Sequence, residues 1–453
     1  MRCQILTSKD QAKPIIPKVK GKIDDLQYVE SVFVDGKPVF LVTNTKTGGI
    51  YISEKFEINE KIIRPLEKNE CGYIPYSLSL KEFNDLIKSN ISTATLLREV
   101  KDVIDAYIEA PENTKILILG DVFITYSQEW ISTLHYPFFV GETESGKSTV
   151  LHLGKQLNYR CLLSEDIPHA DIYNFLGEDE EGSGTICEDE AQEMWRDRNK
   201  IRTYKNSYSK GSSKPIVKML ANSKVQVYYK TYCAKWFAGE TTPQDKGFIE
   251  RLAVVHMTGG KPKHNIKQLS ESQLAVLNHL RNKLLVWKMQ QMSKKHVQFY
   301  SGLTGRDQEL WEDFLRIFDG TVFSQHAKAV VEYYVNQRHN SIKNSFEARI
   351  FKILHDNLNE NHEIEAQVFW RILTEDNPDL PGKLDNFSGK SFYPDEFGFK
   401  LSPNTLARII EDKFQGKKLF RTLYPDGKPK KITYYAFDLQ VIESLSSKYG
   451  IES

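Results

Sequence analysis

The stretch HYPFFVGETESGKSTVLHLGKQL, residues 135–157, restricts the fold of this chain more than any other segment. An apolar run leads into a loop with glycine, four residues and then Gly-Lys-Ser, and an amphipathic helix is predicted to start near Lys147. Lys147 is expected to bridge the β- and γ-phosphates of a nucleotide, and the Ser148 hydroxyl to ligate Mg²⁺. Glycines let the backbone wrap around phosphate, and the helix adds its positive dipole. The predicted fold is an α/β domain that binds ATP through Gly141, Glu142, Thr143, Glu144, Ser145, Gly146, Lys147, Ser148 and Thr149.

A second stretch, GSGTICEDEAQEM at residues 182–194, supplies the acids that a phosphate-loop enzyme needs at the end of another strand. Asp189 is expected to contact Mg²⁺ through water, and Glu190 to orient and deprotonate the attacking water. Glu188 competes for one of these roles. The distance of 42 residues along the chain from Lys147 to Asp189 suits one intervening helix–strand–helix unit.

The net charge of +1 hides two blocks of opposite sign. Residues 164–193 hold eleven acidic and no basic side chains, whereas residues 196–235 hold eleven Lys or Arg and one acid. The basic block predicts two strands around a turn at 221–224, with aromatic residues between the lysines. Such a hairpin suits the phosphates and bases of a nucleic acid, although edge lysines that prevent aggregation give the same pattern. The candidate contacts are Lys218, Lys224 and Lys230.

A third strand, predicted over 232–238, ends in the sequence AGETTP. It delivers Glu240, Thr241 and Thr242 to the carboxyl edge of the sheet, where ligands bind in open α/β sheets, so one of them is a candidate sensor of the γ-phosphate. The next stretch, QDKGFIERLAVVHM, predicts a short helical turn and then Arg251 before an apolar strand. Arg251 is a candidate to stabilise charge on the phosphate of a neighbouring subunit, or else forms a surface salt bridge.

The C-terminal stretch LSPNTLARIIEDKF has a helix start, with Ser402 as the cap and Pro403 in the first turn. It is followed by two predicted strands around Pro-Asp-Gly, in KKLFRTLYPDGKPKKITYYAFDL. A helix and then a basic hairpin resembles a winged helix, whose helix would enter the major groove while lysines of the wing touch phosphates. A winged helix that binds protein is the alternative. The candidate phosphate contacts are Lys428, Lys430 and Lys431.

Four domains are predicted from these patterns. A small mixed α+β domain of unknown role spans 1–110, and the phosphate-loop core spans 111–265. A helical lid is expected over 266–340, and the winged-helix-like domain over 341–453. The first 110 residues show no cluster of metal-binding carboxylates, so no primase motif is visible.

In their order along the chain, these motifs resemble the AAA+ ATPases of the clade that contains superfamily-3 and minichromosome-maintenance helicases. They are most similar to the helicase parts of primase–helicase proteins from archaeal plasmids and phages, with YKNSYSKGSSKPIVK and GRDQELWEDFL as further counterparts. The resemblance implies Walker A at Lys147 and Ser148, Walker B at Asp189 and Glu190, and sensor 1 within residues 240–242. It also implies an arginine finger, a hairpin tip and a sensor 2, at Arg251, Lys224 and Arg306 respectively. The chain departs from the family at sensor 1, where AGETTP contains no asparagine.

The function that this resemblance implies is a ring-forming, hexameric DNA helicase or translocase of replication that uses ATP and Mg²⁺. Its expected partners are single-stranded or forked DNA, other copies of the chain and replication proteins. One alternative is a DNA-binding AAA+ ATPase that loads or remodels a partner without unwinding DNA. The other is a small-molecule or nucleotide kinase with the same loop, which would be monomeric and indifferent to DNA.

Composition adds expectations about location. The N-terminal MRCQILTSKDQAK lacks the apolar core of a signal peptide, and no apolar run approaches the roughly 18 residues of a membrane span. The five cysteines form no CxxC pair, so neither a zinc site nor a disulfide framework is indicated. The expected location is the cytoplasm, without membrane association.

Overall fold

The fold was obtained as a computed structural model. It describes residues 13–70, 74–165, 167–177, 180–220, 223–243, 245–294, 299–375, 377–385, 391–395, 400–424 and 428–451. Internal contacts divide the chain into two compact units, with the division between Glu332 and Tyr333. None of the described helices combines the length and the apolar character of a membrane-crossing helix.

The first unit begins with small β-sheets. Strands β2, β3, β4 and β5 form an antiparallel sheet that β8 extends by pairing in parallel with β3, while β1, β7 and β6 form a second sheet. The strands are β1 Ile15–Lys18, β2 Lys20–Lys22, β3 Gln27–Val34, β4 Lys37–Asn44, β5 Ile50–Ser53, β6 Phe56–Ile58, β7 Lys61–Pro65 and β8 Ser77–Leu78. Three helices follow: α1 Leu80–Lys88, α2 Thr93–Tyr107 and α3 Glu112–Tyr126.

The core of the first unit is a parallel sheet in the order β10-β11-β14-β9-β15. These strands are β9 Tyr136–Val140, β10 Cys161–Ser164, β11 Thr185–Glu188, β14 Ala234–Gly239 and β15 Leu252–His256. The helices between them are α4 Lys147–Leu157, α5 His169–Leu176, α6 Arg198–Asn206 and α7 Lys246–Ile249, with a 3₁₀ turn at Ala191–Arg196. Strands β12 Ser213–Leu220 and β13 Ser223–Lys230 form a separate antiparallel hairpin.

Because all five core strands are parallel, their carboxyl ends meet at one edge of the sheet, which we call the carboxyl edge. The loops after β9, β11, β14 and β15 lie there. The opposite edge, the amino edge, is where β14 and β15 begin, and the β12–β13 hairpin leads directly into β14 at this edge. The central strands β9, β11 and β14 are buried throughout, as expected for a parallel sheet that is covered on both faces.

Helices α8 Glu271–Gln291, α9 Gly305–Phe318 and α10 Ser324–Lys343 follow the sheet. Helix α8 contacts α2, α3 and α4 as well as β4 and β8, so it packs between the N-terminal strands and the phosphate-loop helix. The helical lid predicted over 266–340 stays a prediction. The boundaries predicted at 110 and 265 have no counterpart in the division into units, because α2 packs on α3 and α8 contacts both.

The second unit has its own apolar core, built around Phe351, Phe369 and Phe414. Strands β16 Glu363–Glu365, β19 Lys417–Leu423 and β20 Lys430–Ala436 form an antiparallel sheet in the order β16-β20-β19, and β17 Gly382–Leu384 pairs with β18 Phe392–Pro394. The helices are α11 Phe346–His355, α12 Ala366–Thr374, α13 Pro403–Arg408 and α14 Leu439–Tyr449, with α13 continuing into a π-helical turn at Ile409–Lys413. The predicted cap is confirmed, since Ser402 Oγ accepts from Thr405 N at 3.2 Å.

Candidate functional site

The loop between β9 and α4 has the backbone of a phosphate-binding loop. Gly146 caps α4 with φ 93°, a left-handed conformation that side chains with a Cβ rarely adopt. Gly141 lies where a Cβ would be 2.5 Å from the carbonyl oxygen of Met257, so only glycine fits there. The helix predicted near Lys147 is confirmed, and its first-turn N–H groups open toward the carboxyl edge.

Lys147 is almost completely buried, and its ammonium bonds to the loop itself. Its Nζ donates to the carbonyl oxygens of Gly141 and Glu142 at 2.5 and 2.6 Å. Nearby, Ser145 Oγ is buried and has no hydrogen-bond partner among the described residues, so the loop holds an unsatisfied polar atom. A buried ammonium bonded to its own loop beside an orphaned hydroxyl fits a site that binds an anionic group.

A cavity of about 300 Å³ opens beside this loop. Its walls are residues 144–149, the end of α2 with Tyr107 and Ile108, and the segment after β15 with Met257, Pro262 and Lys267. A larger cavity of about 520 Å³ lies beside β10, but no phosphate loop lines it, and Lys18 on its wall is paired with Glu180 at 3.2 Å. We therefore assign the candidate nucleotide to the smaller cavity.

The predicted acidic strand is confirmed as β11, but its three acids have different surroundings. Glu188 is buried, forms an ion pair with Lys200 and accepts from Tyr204 Oη at 2.8 Å. Asp189 is half-buried at the carboxyl edge, and its N–H donates to Ser164 O at 3.0 Å. Glu190 is exposed and has φ 52°. The contacts of the Glu188 carboxylate are thus made within the core. Asp189 and Glu190 remain accessible to a ligand.

Gln192 connects the acidic strand with the neighbouring strand β14. Its amide nitrogen donates to Glu190 Oε2, and its amide oxygen accepts from Glu240 N at 3.1 Å. Glu240 and Thr241 are exposed and Thr242 is half-buried, at the end of β14, which lies between β9 and β11. The residues predicted for sensor 1 therefore reach the same edge as the phosphate loop. Sequence reasoning missed Gln192, although its position two residues after Glu190 is a local signal.

Charges around α4 extend the site toward the solvent. Burial lowers the pKa of His152, and the positive charges of Lys267 and Lys155 lower it further, while Asp189 opposes them. Asp189 and Lys267 therefore lie within electrostatic range of the phosphate-loop helix. Among the described residues, no three His, Cys, Asp or Glu side chains form a metal-binding group, so an ion here would need oxygen ligands from the substrate as well.

Arg251 and Arg306 are brought together at the amino edge of the sheet. The guanidinium carbons of Arg251 and Arg306 lie 4.5 and 4.3 Å from the ring centroid of Tyr208, and Arg306 also pairs with Glu309 at 2.8 Å. Burial lowers the pKa of Arg251, and the charge of Arg306 lowers it further. Arg251 precedes β15, whereas Lys147 follows the neighbouring parallel strand β9. The length of a strand therefore separates the two residues. A sensor-2 contact from Arg306 to the nucleotide of its own subunit does not agree with this placement.

The predicted basic hairpin exists as β12 and β13, with Lys218 paired in register with Val225. The side chains of residues 217–225, and therefore those of Lys218 and Lys224, lie outside the described residues, as do Ala221 and Asn222 of the turn. Lys230 is half-buried, and its N–H donates to Gly177 O at 3.1 Å. Tyr228 is exposed.

In the second unit, the predicted phosphate contacts are exposed, and they lie at the end of the hairpin where β19 and β20 are joined: Lys428, Lys430 and Lys431. The turn between these strands, residues 425–427, lies outside the described residues. On α13, Asn404 and Arg408 are exposed. Acidic side chains follow in the π-helical turn, so the hairpin is the more basic of the two elements.

Comparisons with known proteins give no family. No protein-family model matches the chain, and no curated protein matches it significantly. Among solved structures, the C-terminal region of NrS-1 is similar over 90% of this chain and 97% of that chain, with 14% identity and a TM-score of 0.38. The JCV helicase is similar over 58% of this chain and 70% of that chain, with 12% identity and a TM-score of 0.25. Because these scores are below 0.5, the assignment of a P-loop-like α/β core rests on this chain's own loop and sheet.

Proposed function

We propose that this chain is an AAA+ ATPase that hydrolyses ATP between subunits of a ring and uses the energy to move along or unwind DNA. One observation carries the proposal: the phosphate loop, the acids after β11 and the polar end of β14 meet at one edge of one parallel sheet. Since β14 lies between β9 and β11, its end is positioned to report on a nucleotide held by both. The proposed ring is a hexamer.

The residues have separate proposed roles. Lys147 exchanges its two carbonyl partners for the β- and γ-phosphates. Ser148 and Asp189 are the proposed ligands of Mg²⁺, which supplies neutralisation of phosphate charge when bound. Glu190 accepts a proton from the water that attacks the γ-phosphate, and Gln192 orients its carboxylate. The arginines at the amino edge stabilise charge on the phosphate of the next subunit.

Two elements are the proposed contacts to DNA. The β12–β13 hairpin is basic and starts from the amino edge of the sheet. The elements of the second unit follow the order α11-β16-α12-β17-β18-α13-β19-β20, and its helices followed by the β19–β20 hairpin with exposed lysines support the proposal of a winged helix. Replication proteins are further proposed partners, since a winged helix also binds protein.

The first test measures phosphate release from ATP with and without single-stranded DNA. Lys147→Ala is expected to lower the rate about 10²-fold or more, because it removes a donor that acts on the transferred phosphate. The matched control is Lys155→Ala, which removes an exposed lysine from the same helix and leaves the phosphate loop intact.

The same preparation separates the alternatives. Turnover that single-stranded DNA stimulates and that Lys147→Ala abolishes, together with strand displacement, supports a helicase. DNA-stimulated turnover without strand displacement supports an ATPase that remodels a partner. Turnover that DNA does not affect and that requires an added acceptor contradicts the proposal and indicates a kinase.

A further inference from the structure

The hairpin of the second unit has an exposed surface that its fold does not explain. All seven residues of β19 are exposed, and β19 is the edge strand of its sheet. Phe420 has 58% of its surface exposed, and Tyr424, just beyond the strand, has 69%. We call β19, Tyr424 and Lys428–Lys431 the wing surface. Two large aromatic side chains there contribute little to the core of the unit.

The net positive charge of the wing surface increases toward the end of the hairpin where β19 and β20 are joined. Near the base the cations are paired: Lys417 with Asp438 at 3.0 Å, Lys418 with Glu411 at 2.5 Å, and Arg421 with Glu363 at 2.7 Å. Toward the turn, no carboxylate of the described residues lies within 4.0 Å of the ammonium groups of Lys428, Lys430 and Lys431. The outer part of the hairpin is therefore positive and has no internal counter-charge among these residues.

Phe420 stands between these cations. It is paired in register with Thr433, and the ammonium of Lys431 lies 4.2 Å from the centroid of its ring. Alternation along β19 places Phe420 on the same face of the sheet as Lys418, whose partner Glu411 lies in the turn after α13. The Phe420 ring, Lys418, Lys431 and the end of α13 thus border one face of the hairpin, while alternation places Lys430 on the opposite face.

We propose that the wing surface binds single-stranded nucleic acid, with an unpaired base stacked on Phe420 and the phosphates beside Lys431 of the same face, while Lys430 on the opposite face adds positive charge. Aromatic rings that alternate with cations are the usual means of holding single strands. A duplex hides the faces of its bases, so stacking on Phe420 requires an unpaired strand. Lysine is depleted at protein–protein interfaces, which favours a nucleic acid over a protein partner. The inference rests on the proposed action on DNA and assigns the single strand to a particular surface.

The test measures binding without nucleotide, in the full chain carrying Lys147→Ala, so its outcome does not depend on ATP hydrolysis. Fluorescence anisotropy with a 20-nucleotide oligothymidylate gives the affinity, and an abasic strand of equal length and charge gives the contribution of the backbone alone. Phe420→Ala is expected to weaken binding to oligothymidylate about fivefold or more. It is expected to leave binding to the abasic strand unchanged. Phe420→Trp should restore the affinity.

Two variants serve as comparisons. Tyr393→Ala removes an exposed aromatic side chain from β18 of the same unit and should not change either affinity. The double variant Lys430→Ala, Lys431→Ala should lower the affinity for both the oligothymidylate and the abasic strand. It should also reduce the salt dependence of binding. If Phe420→Ala binds oligothymidylate as tightly as the chain that carries Lys147→Ala alone, the proposal is wrong. A protein partner is then the remaining candidate for this surface. An equal loss on the abasic strand also overturns the proposal, because stacking is then not involved.

Discussion

At the scale of single residues, burial separates three consecutive acids that look equivalent in the sequence. Glu188 has its carboxylate in a buried ion pair with Lys200, whereas Glu190 is exposed and held in a left-handed conformation at the edge of the sheet. A non-glycine residue in that conformation is uncommon and is found often at functional sites. The general base is therefore expected at Glu190, and a structural role at Glu188.

Substitution of each glutamate by glutamine tests this division. Glu190→Gln is expected to lower kcat for ATP about 10²- to 10⁴-fold, because the proton acceptor is lost, with unchanged ATP affinity and Tm. Glu188→Gln is expected to lower the free energy of unfolding by about 3 kcal/mol, because it removes the carboxylate of a buried ion pair. Phosphate release, nucleotide binding and urea unfolding measure the three quantities.

Glu250→Gln, at an exposed acid before β15, is the control and should change none of them. A kcat that survives Glu190→Gln but collapses in a stably folded Glu188→Gln would exchange the two assignments. The sequence predicted the loop and the helix start between β9 and α4 because their pattern is local, from Gly141 to Thr149, whereas the nucleotide contacts of these residues stay a prediction. It did not predict Tyr208 between Arg251 and Arg306, because only the tertiary fold brings these distant segments together.

At the scale of elements, a buried ionic cluster fixes helix α8 to the N-terminal sheet. Lys288 of α8 bonds to Glu30 of β3 at 2.6 Å and to Glu129 at 3.2 Å, and Lys20 of β2 bonds to Glu129 at 2.5 Å. The ammonium of Lys288 also lies 3.9 Å from the ring centroid of Tyr159. These contacts explain physically why the described N-terminal strands belong to the same compact unit as helix α8.

Removal of Glu129 is expected to weaken this attachment. Burial by itself would raise the pKa of Glu129, but Lys20 and Lys288 lower it to about 2. Because the folded-state pKa is below the ordinary value near 4.5, the stabilisation is complete above that value and is lost as the pH falls toward 2. Glu129→Gln should lower the free energy of unfolding at pH 7 by about 3–5 kcal/mol.

Urea unfolding at pH 7 and at pH 3 measures both effects. The difference between wild type and Glu129→Gln should be smaller at pH 3, since part of the wild-type advantage has been lost by then. Glu57→Gln, in an exposed pair with Lys13, is the control and should change little. An equal difference at both pH values would mean that packing, and not the carboxylate charge, makes the contribution.

Sequence patterns predict those helices and strands whose ends are marked by particular residues, and they miss those whose ends are not marked. Helix α4 and strand β11 lie where the sequence predicts them, because glycine, charge and apolar residues mark their ends. Helix α3 carries no such pattern, since every residue from Ile116 to Tyr126 is buried and no polar face marks a helical period. Strand β14 begins at Ala234, two residues after its predicted start, because the apolar run before it already belongs to the connection.

At the scale of the whole molecule, the candidate site is divided between two edges of one sheet. The phosphate loop follows β9, while Arg251 precedes β15, its parallel neighbour. Five residues of strand separate these edges by about 17 Å at roughly 3.3 Å per residue. An arginine side chain cannot span that distance, so Arg251 and Arg306 cannot serve the nucleotide of their own chain. In the proposed head-to-tail ring, the amino edge of one subunit would lie against the carboxyl edge of the next.

Mixing two inactive variants tests this arrangement. Lys147→Ala lacks a working phosphate loop but keeps its arginines, and Arg251→Ala has the opposite defect. In an equal mixture, about one quarter of head-to-tail interfaces combine an intact loop with an intact arginine, so ATPase activity should return to about that fraction of wild type. Phosphate release before and after mixing, with single-stranded DNA present, measures it.

The matched control mixes Arg251→Ala with Arg306→Ala. Both variants have defects in the same half of the proposed composite site, beside the Tyr208 ring, so no interface in their mixture receives two intact arginines from one subunit. This mixture should be no more active than the average of its parts. Recovery in the first mixture alone requires that the arginines act on a neighbour, whereas two mixtures that both stay inactive would restrict Arg251 to a structural role within its own chain.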